Sequence, residues 1–215
     1  MCRHRVLLSA LLLCLVCFPG LASADVYSVT VDTSSIAGTV GSLDFNFNPG
    51  SLVTQGASLQ ILSFSGDGSL AGSPTLTGDV SGALPATLTF DNGTGFNDYF
   101  QGFTFGSTVS FDVSLYGPAL SSPDGTSTSG STFAFSMFSD AAGAIPALTS
   151  DTTNGSAFTV DVNLDGTTTA TNSSVETTIS RVSAVPEPSS LMLLGAGLAA
   201  IALGTFLRRR KCVCD

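Results

Sequence analysis

Short runs of alternating apolar and polar residues recur through the middle of the chain. Residues two positions apart point to the same side of a β-strand, so each run predicts a strand with one buried face. The apolar residues expected to face inward are Tyr27, Val29 and Val31; Leu43, Phe45 and Phe47; Leu88 and Phe90; Val109, Phe111, Val113 and Leu115; Phe133, Phe135 and Met137; and Phe158, Val160, Val162 and Leu164.

Turn-forming sequences separate these runs. They are Asn48-Pro49-Gly50, Gly66-Asp67-Gly68, Asp91-Asn92-Gly93, Ser122-Pro123-Asp124-Gly125 and Asn154-Gly155. Many short strands with regular turns are typical of an antiparallel β-sandwich. We therefore predict an all-β domain over residues 25–180, an antiparallel sandwich of jelly-roll-like or Ig-like type. The Thr- and Ser-rich segment 167–178 is expected to finish it as an edge strand.

The first residues have the pattern of an export signal. A positively charged start precedes the apolar stretch 6–18, which is too short to cross a membrane comfortably. Ala22 and Ala24 provide the small residues of a signal peptidase site, so the mature chain is expected to begin at Asp25. The pattern predicts a signal peptide over residues 1–24 and export through the Sec machinery.

The last thirty residues predict a membrane span. Residues 189–207 carry no charge, and a helix of that length covers about 28 Å, close to the thickness of the hydrocarbon core. A basic stop-transfer cluster follows, which should stay in the cytoplasm and leave the domain outside. Its members are Arg208, Arg209, Arg210 and Lys211.

The span is preceded by Val185, Pro186, Glu187 and Pro188, where two prolines favour an extended, exposed strip. Together with the span and basic cluster, this tail resembles the PEP-CTERM sorting signal of Gram-negative bacteria. The resemblance covers residues 185–211. It implies recognition by an exosortase, removal of a transient membrane anchor, and delivery to the cell surface or extracellular matrix. We divide the tail into a linker (181–188), a transmembrane helix (189–207) and a cytoplasmic tail (208–215). An ordinary membrane anchor is the alternative.

Composition excludes several functions for the mature domain. All five cysteines and the single histidine lie outside residues 25–188, so this part forms neither a disulfide nor a thiolate metal site. It contains fifteen acidic residues and one basic residue, Arg181, which excludes nucleic acid as a partner. Without His, Cys or Lys, the usual activated nucleophiles are missing, and we expect no enzyme. Asp91 and Asp98 are the nearest candidates for a glycosidase acid pair.

One segment matches the opening of a calcium-binding loop. Asp161, Asn163 and Asp165 alternate and are followed by Gly166, as the first half of such a loop requires. The twelfth position is Asn172, where that loop has a bidentate Glu. The same residues fit a strand whose polar side chains face water, and both interpretations stay open. Calcium is the one cofactor that the sequence suggests.

The function expected from these observations is that of a surface or matrix protein, linked to exopolysaccharide in a biofilm. The alternative is a secreted carbohydrate-binding β-sandwich. A polar loop around Asn97, Asp98 and Tyr99 would suit sugar binding, although the chain has no Trp. The same residues also fit a strand start whose Tyr ring packs in the core and whose hydroxyl reaches water.

Overall fold

The computed structural model describes residues 24–182, which form two six-stranded β-sheets, one 3₁₀ turn and one short α-helix. Sheet 1 contains β1 (Asp25–Asp32), β3 (Ser58–Gly66), β5 (Val80–Gly82), β6 (Leu88–Asp91), β8 (Thr108–Tyr116) and β12 (Thr177–Val182). Sheet 2 contains β2 (Val40–Pro49), β4 (Ser69–Thr77), β7 (Asp98–Thr104), β9 (Ser131–Phe138), β10 (Ser156–Val162) and β11 (Thr168–Asn172). The 3₁₀ turn spans Ser34–Ile36, and α1 spans Pro118–Ser121.

The first four strands alternate between the two sheets, whereas β5 and β6, and also β9, β10 and β11, are consecutive strands paired within one sheet. Sheet 1 has the order β12-β1-β8-β3-β6-β5, and sheet 2 has the order β11-β10-β9-β2-β7-β4. All pairs between these strands are antiparallel. The prediction of an all-β, antiparallel fold is confirmed.

Phenylalanine rings join the two sheets at the centre of the core. Phe111 of sheet 1 lies 5.3 Å from Phe45 and 4.9 Å from Phe135 of sheet 2, measured between ring centroids. The Phe158 ring lies 6.3 Å from the Phe111 ring. These separations and the mostly edge-to-face angles are those that aromatic side chains prefer. The inner faces of both sheets therefore share one hydrophobic core.

The predicted inward residues are buried, with one exception. Leu164 was expected to continue the buried face of β10, but it is 50% exposed. The strand ends at Val162, and the Asn163 backbone N–H donates to the Thr167 carbonyl over 2.8 Å, which closes a turn. Leu164 lies in this turn, where the alternation of a strand no longer applies. That part of the prediction is wrong.

Five strands lie outside the predicted pattern: β3, β4, β5, β7 and β12. In β7 the inward position between Tyr99 and Phe103 is occupied by a buried polar residue, Gln101, which interrupts the apolar alternation. The edge strand β4 is largely exposed, so its sequence shows no alternation with a buried apolar face. The predicted edge strand in segment 167–178 is present as β11. Strand β12 runs to Val182, past the predicted boundary at residue 180.

No helix within residues 24–182 is both long and apolar enough to cross a membrane. The predicted transmembrane helix (189–207) and cytoplasmic tail (208–215) lie outside the described residues. So do the first 23 residues of the predicted signal peptide and the part of the linker that follows Val182.

Candidate functional site

In the sequence, the described domain ends shortly before the residues predicted to direct sorting. Strand β12 ends at Val182, and Val185 follows three positions later in the sequence. The motif itself (Val185, Pro186, Glu187 and Pro188), the basic cluster (Arg208, Arg209, Arg210 and Lys211) and Ala22 of the predicted cleavage site lie outside the described residues. Ala24 immediately precedes β1.

The first and last strands of the domain are paired, which brings its two ends together. Val26 of β1 lies opposite Val182 of β12. The Arg181 guanidinium contacts the Asp25 carboxylate at 2.5 Å, and the Thr168 hydroxyl donates to the same carboxylate over 2.6 Å. The Tyr27 hydroxyl lies 2.7 Å from the Thr168 hydroxyl. Asp25 therefore links strand β12 to strand β11 of the other sheet.

The predicted calcium loop is a β-hairpin between β10 and β11. Asp161 lies on β10 and accepts a hydrogen bond from the Thr132 hydroxyl over 2.6 Å. The Asp165 carboxylate accepts from the Thr167 backbone N–H and hydroxyl, which lowers the pKa of Asp165. Gly166 adopts a φ of +83°, the left-handed conformation that closes the turn.

Asn163, the third predicted ligand, directs its amide nitrogen toward the Thr167 and Thr169 hydroxyls, at 3.0 and 2.9 Å. The hairpin thus accounts for the alternating Asp-Asn-Asp spacing through hydrogen bonds to threonines. Within residues 24–182, no group of three or more His, Cys, Asp or Glu side chains is arranged to hold a metal ion. Calcium binding by Asp161, Asn163 and Asp165 stays a prediction from the sequence.

Tyr99 is a core residue of β7. Its side chain is completely buried. The Leu84 backbone N–H donates to its hydroxyl over 3.0 Å, and the hydroxyl donates to the Gln101 side-chain oxygen over 3.1 Å. Residues 98–100 therefore form a strand start and not a loop. The tyrosine hydroxyl is satisfied by protein groups and not by the expected water.

Asp91 and Asp98 belong to different sheets. Asp91 ends β6 in sheet 1 and accepts a hydrogen bond from the Ser58 hydroxyl. Asp98 begins β7 in sheet 2, where its carboxyl group lies within hydrogen-bonding reach of Asp44 on β2. The structure thus pairs Asp98 with Asp44, which is not among the candidate residues predicted from the sequence.

We call Asp44 and Asp98 the carboxyl pair. The side-chain amide of Asn46 is the neighbour of this pair. Asn46 is the direct cross-strand partner of Asp98, and Asp44 lies two positions away on the same outer face of β2. The Asn46 side-chain nitrogen donates to an Asp44 carboxylate oxygen over 2.7 Å. Three oxygen-bearing side chains from two adjacent strands therefore meet on the outer face of sheet 2.

Burial and a neighbouring acid favour the protonated form of Asp44. Burial is the main cause that raises the pKa of Asp44 to about 9, and the hydrogen bond and negative charge of Asp98 act in the same direction. Phe100 on β7 is the cross-strand partner of Asp44 and contributes an apolar neighbour. Gly143 packs against the Phe100 ring, so segment 139–147 covers part of this face.

Two oxygen atoms of the carboxyl pair and its neighbouring amide lack the usual donors. Asn46 Oδ1 and Asp98 Oδ1 are both buried, and neither accepts a hydrogen bond from an N–H group or from a Ser, Thr or Tyr hydroxyl. Buried polar atoms in folded proteins are nearly always satisfied. In sequence, Asp44 and Asn46 are visible only as polar positions of an alternating strand. Their contact with Asp98 depends on the pairing of β2 with β7, which the sequence does not reveal.

One surface cleft of the described domain lies beside β11, near the edge of the sandwich. It is lined by residues 148–150 and 172–177, which include no aromatic residue. Sugar-binding faces generally rely on exposed aromatic rings. This cleft therefore offers no platform of the kind that the carbohydrate-binding alternative requires.

The comparisons with known proteins concern the tail. The chain carries a PEP-CTERM protein-sorting motif, because the family model of that description matches residues 184–211. The match includes the motif residues 185–188 and reaches Lys211, so the prediction of this sorting signal is confirmed. The motif implies sorting and processing by an exosortase, and export to the cell envelope or surface. No curated protein and no solved structure gives a significant match.

Proposed function

We propose that the exported domain is a non-enzymatic component of the cell surface or extracellular matrix, held in a biofilm together with exopolysaccharide. The observation that carries this proposal is the sorting motif at residues 184–211, which follows the last strand of a β-sandwich. The composition supports a structural role, because residues 25–182 contain no His, Cys or Lys to serve as base or activated nucleophile.

In the sequence, the proposed processing motif follows the folded domain after a short connection. Two residues separate Val182, the end of β12, from Val185. An extended chain covers about 3.3–3.6 Å per residue, so this connection is short. The proposed route is Sec export, anchoring by residues 189–207, and cleavage by the exosortase at the motif. The protein is the substrate of that reaction.

Substitution of the motif prolines tests this route. The double variant Pro186→Ala/Pro188→Ala removes the fixed extended geometry before the span. We expect it to accumulate at full length in the membrane fraction, while the wild type is processed and leaves that fraction. Pro123→Ala, in an exposed loop, is the matched control and should be processed like the wild type. Normal processing of the double variant would contradict the proposed recognition.

A glycan array with the processed protein separates the structural role from the carbohydrate-binding alternative. A structural protein should show no selective binding to one glycan class. Saturable binding to a single class would favour the carbohydrate-binding module in its place.

A further inference from the structure

Four strands form the edges of the two sheets in the described domain, and three of them carry features that oppose the addition of another strand. Strand β4 contains Pro74, which has no N–H to donate, and its register shifts between Ala71 and Thr75. Strand β5 is only three residues long. Strand β12 carries a charged side chain, Arg181. These three edges are therefore poor partners for a further strand.

Strand β11 has none of these features. It contains no proline, glycine or charged residue, and it pairs with β10 in continuous register. Its residues after Thr168 are exposed, and no strand within residues 24–182 pairs with its outer edge. An exposed edge of this kind offers backbone N–H and C=O groups to another chain. The unprotected edge of the described domain is therefore β11.

Hydrogen bonds on either side of β11 show which of its backbone groups point outward. The Asn163 N–H donates to the Thr167 carbonyl over 2.8 Å, and the Ser173 N–H donates to the Ala157 carbonyl over 2.9 Å. Bonded and non-bonded pairs alternate along an antiparallel ladder, so every second residue of β11 directs its N–H and C=O away from β10. These outward residues are Thr168, Ala170 and Asn172.

We propose that a second copy of this chain pairs with β11, antiparallel and across a two-fold axis at Ala170. In this register Ala170 lies opposite its own copy, and Thr168 lies opposite Asn172 of the partner subunit. The outward residues of the two copies then form about six backbone hydrogen bonds. Sheet 2 of one copy continues into sheet 2 of the other.

The side chains of β11 suit pairing with themselves. Thr169 and Thr171 share the outer face, where each lies opposite the other type of position in the second copy, and cross-strand threonine pairs are favourable. No charged side chain of β11 meets its copy, although residues 25–188 contain fifteen acidic residues and one basic residue. An uncharged, self-complementary edge on an acidic domain favours a second copy as the occupant. Added NaCl should strengthen the pairing, because it screens the remaining repulsion.

Sedimentation velocity of the full chain in detergent, over a range of protein concentrations, tests the proposal. We expect a concentration-dependent dimer that becomes tighter as NaCl is raised. Ala170→Asp places like charges directly opposite each other and should raise the dissociation constant of the dimer at least about tenfold. Thr75→Asp is the matched control, because it adds the same charge to an exposed position on the opposite edge of sheet 2. It should dimerise like the wild type, and cooperative urea unfolding confirms that both variants are folded.

Disulfide cross-linking tests the register. The parent for this experiment has all five cysteines replaced by serine. Ala170→Cys in this parent should form an intermolecular disulfide in air, because the Cα atoms of a bonded antiparallel pair lie about 5.5 Å apart. Thr75→Cys should migrate as a monomer on the same non-reducing gel.

A wild type that stays monomeric, with no cross-link through Ala170→Cys, would overturn the proposal and leave this edge to an extended segment of another protein. Dimers that Ala170→Asp and Thr75→Asp weaken equally would also overturn it, as would dimers that neither variant weakens, because the contact would then lie outside β11. The pairing goes beyond the proposed function, and none of these results depends on exosortase processing or on a role in the matrix.

Discussion

At the level of single residues, Asp44 is the group whose protonation the fold alters most clearly. It lies on the outer face of β2, between Phe100 of β7 and Ser136 of β9. Burial there opposes the loss of its proton, and Asp98 adds a second acid. Asp140 lies in the segment 139–147, and its carboxylate accepts hydrogen bonds from three backbone N–H groups of that segment.

This protonation predicts how stability depends on pH in the absence of metal. The pKa of Asp44 is about 9 in the folded protein, above its ordinary value of 3.8, so the folded state binds more protons between these values. The free energy of unfolding should therefore decrease as pH rises from about 4 to about 9. Urea unfolding in EDTA at several pH values measures this dependence of the free energy of unfolding on pH. Asp44→Asn should flatten this dependence, and an unchanged slope would contradict the assignment.

Replacement of Phe111 should destabilise the fold strongly, because its ring is buried between Phe45 and Phe135. Phe111→Ala should reduce the free energy of unfolding by about 3–5 kcal/mol through lost burial and a residual cavity. Phe96 is 54% exposed, and Phe96→Ala should change the free energy of unfolding by less than about 0.5 kcal/mol. Urea unfolding of the two variants compares them directly. Equal losses would show that the rings of the core do not hold the sheets together.

At the level of elements, the sequence predicts strands where apolar alternation is uninterrupted. This holds for β1, β2, β6, β8, β9 and β10, whose predicted inward residues are buried, apart from Leu164. It fails at β7, where buried Gln101 is satisfied by the Tyr99 hydroxyl and the Ala71 carbonyl. The contact between Asp44 and Asp98 could not be predicted from the sequence either, because β2 and β7 become neighbours only through the order of strands in the sheet.

The β10–β11 hairpin depends on its glycine. A Cβ at Gly166 would lie 2.8 Å from Pro123 Cγ and 2.9 Å from the Leu120 carbonyl oxygen, and φ there is +83°. Gly125 also has positive φ, at +65°, but nothing lies within 4 Å of its Cβ position. Gly125→Ala should cost about 1–2 kcal/mol from backbone conformation alone. Gly166→Ala should lower the free energy of unfolding by more than Gly125→Ala does, as measured by urea unfolding. Equal losses in the two variants would contradict the crowding at this turn.

At the level of the whole molecule, the pairing of β1 with β12 gathers both ends of the domain. Val26 lies opposite Val182, and Asp25 contacts Arg181, so the predicted mature start lies beside the last residues of β12. The predicted export signal and the sorting motif concern where the protein goes, and the β-sandwich is what they deliver.

The intact mass of the protein, isolated from cells with and without the exosortase, tests this account most directly. With the enzyme, we expect a product that begins at Asp25 and lacks residues 189–211. Without the enzyme, the product should retain them and stay in the membrane fraction. A product that retains residues 191–211 in both strains would contradict the account and leave an ordinary membrane anchor.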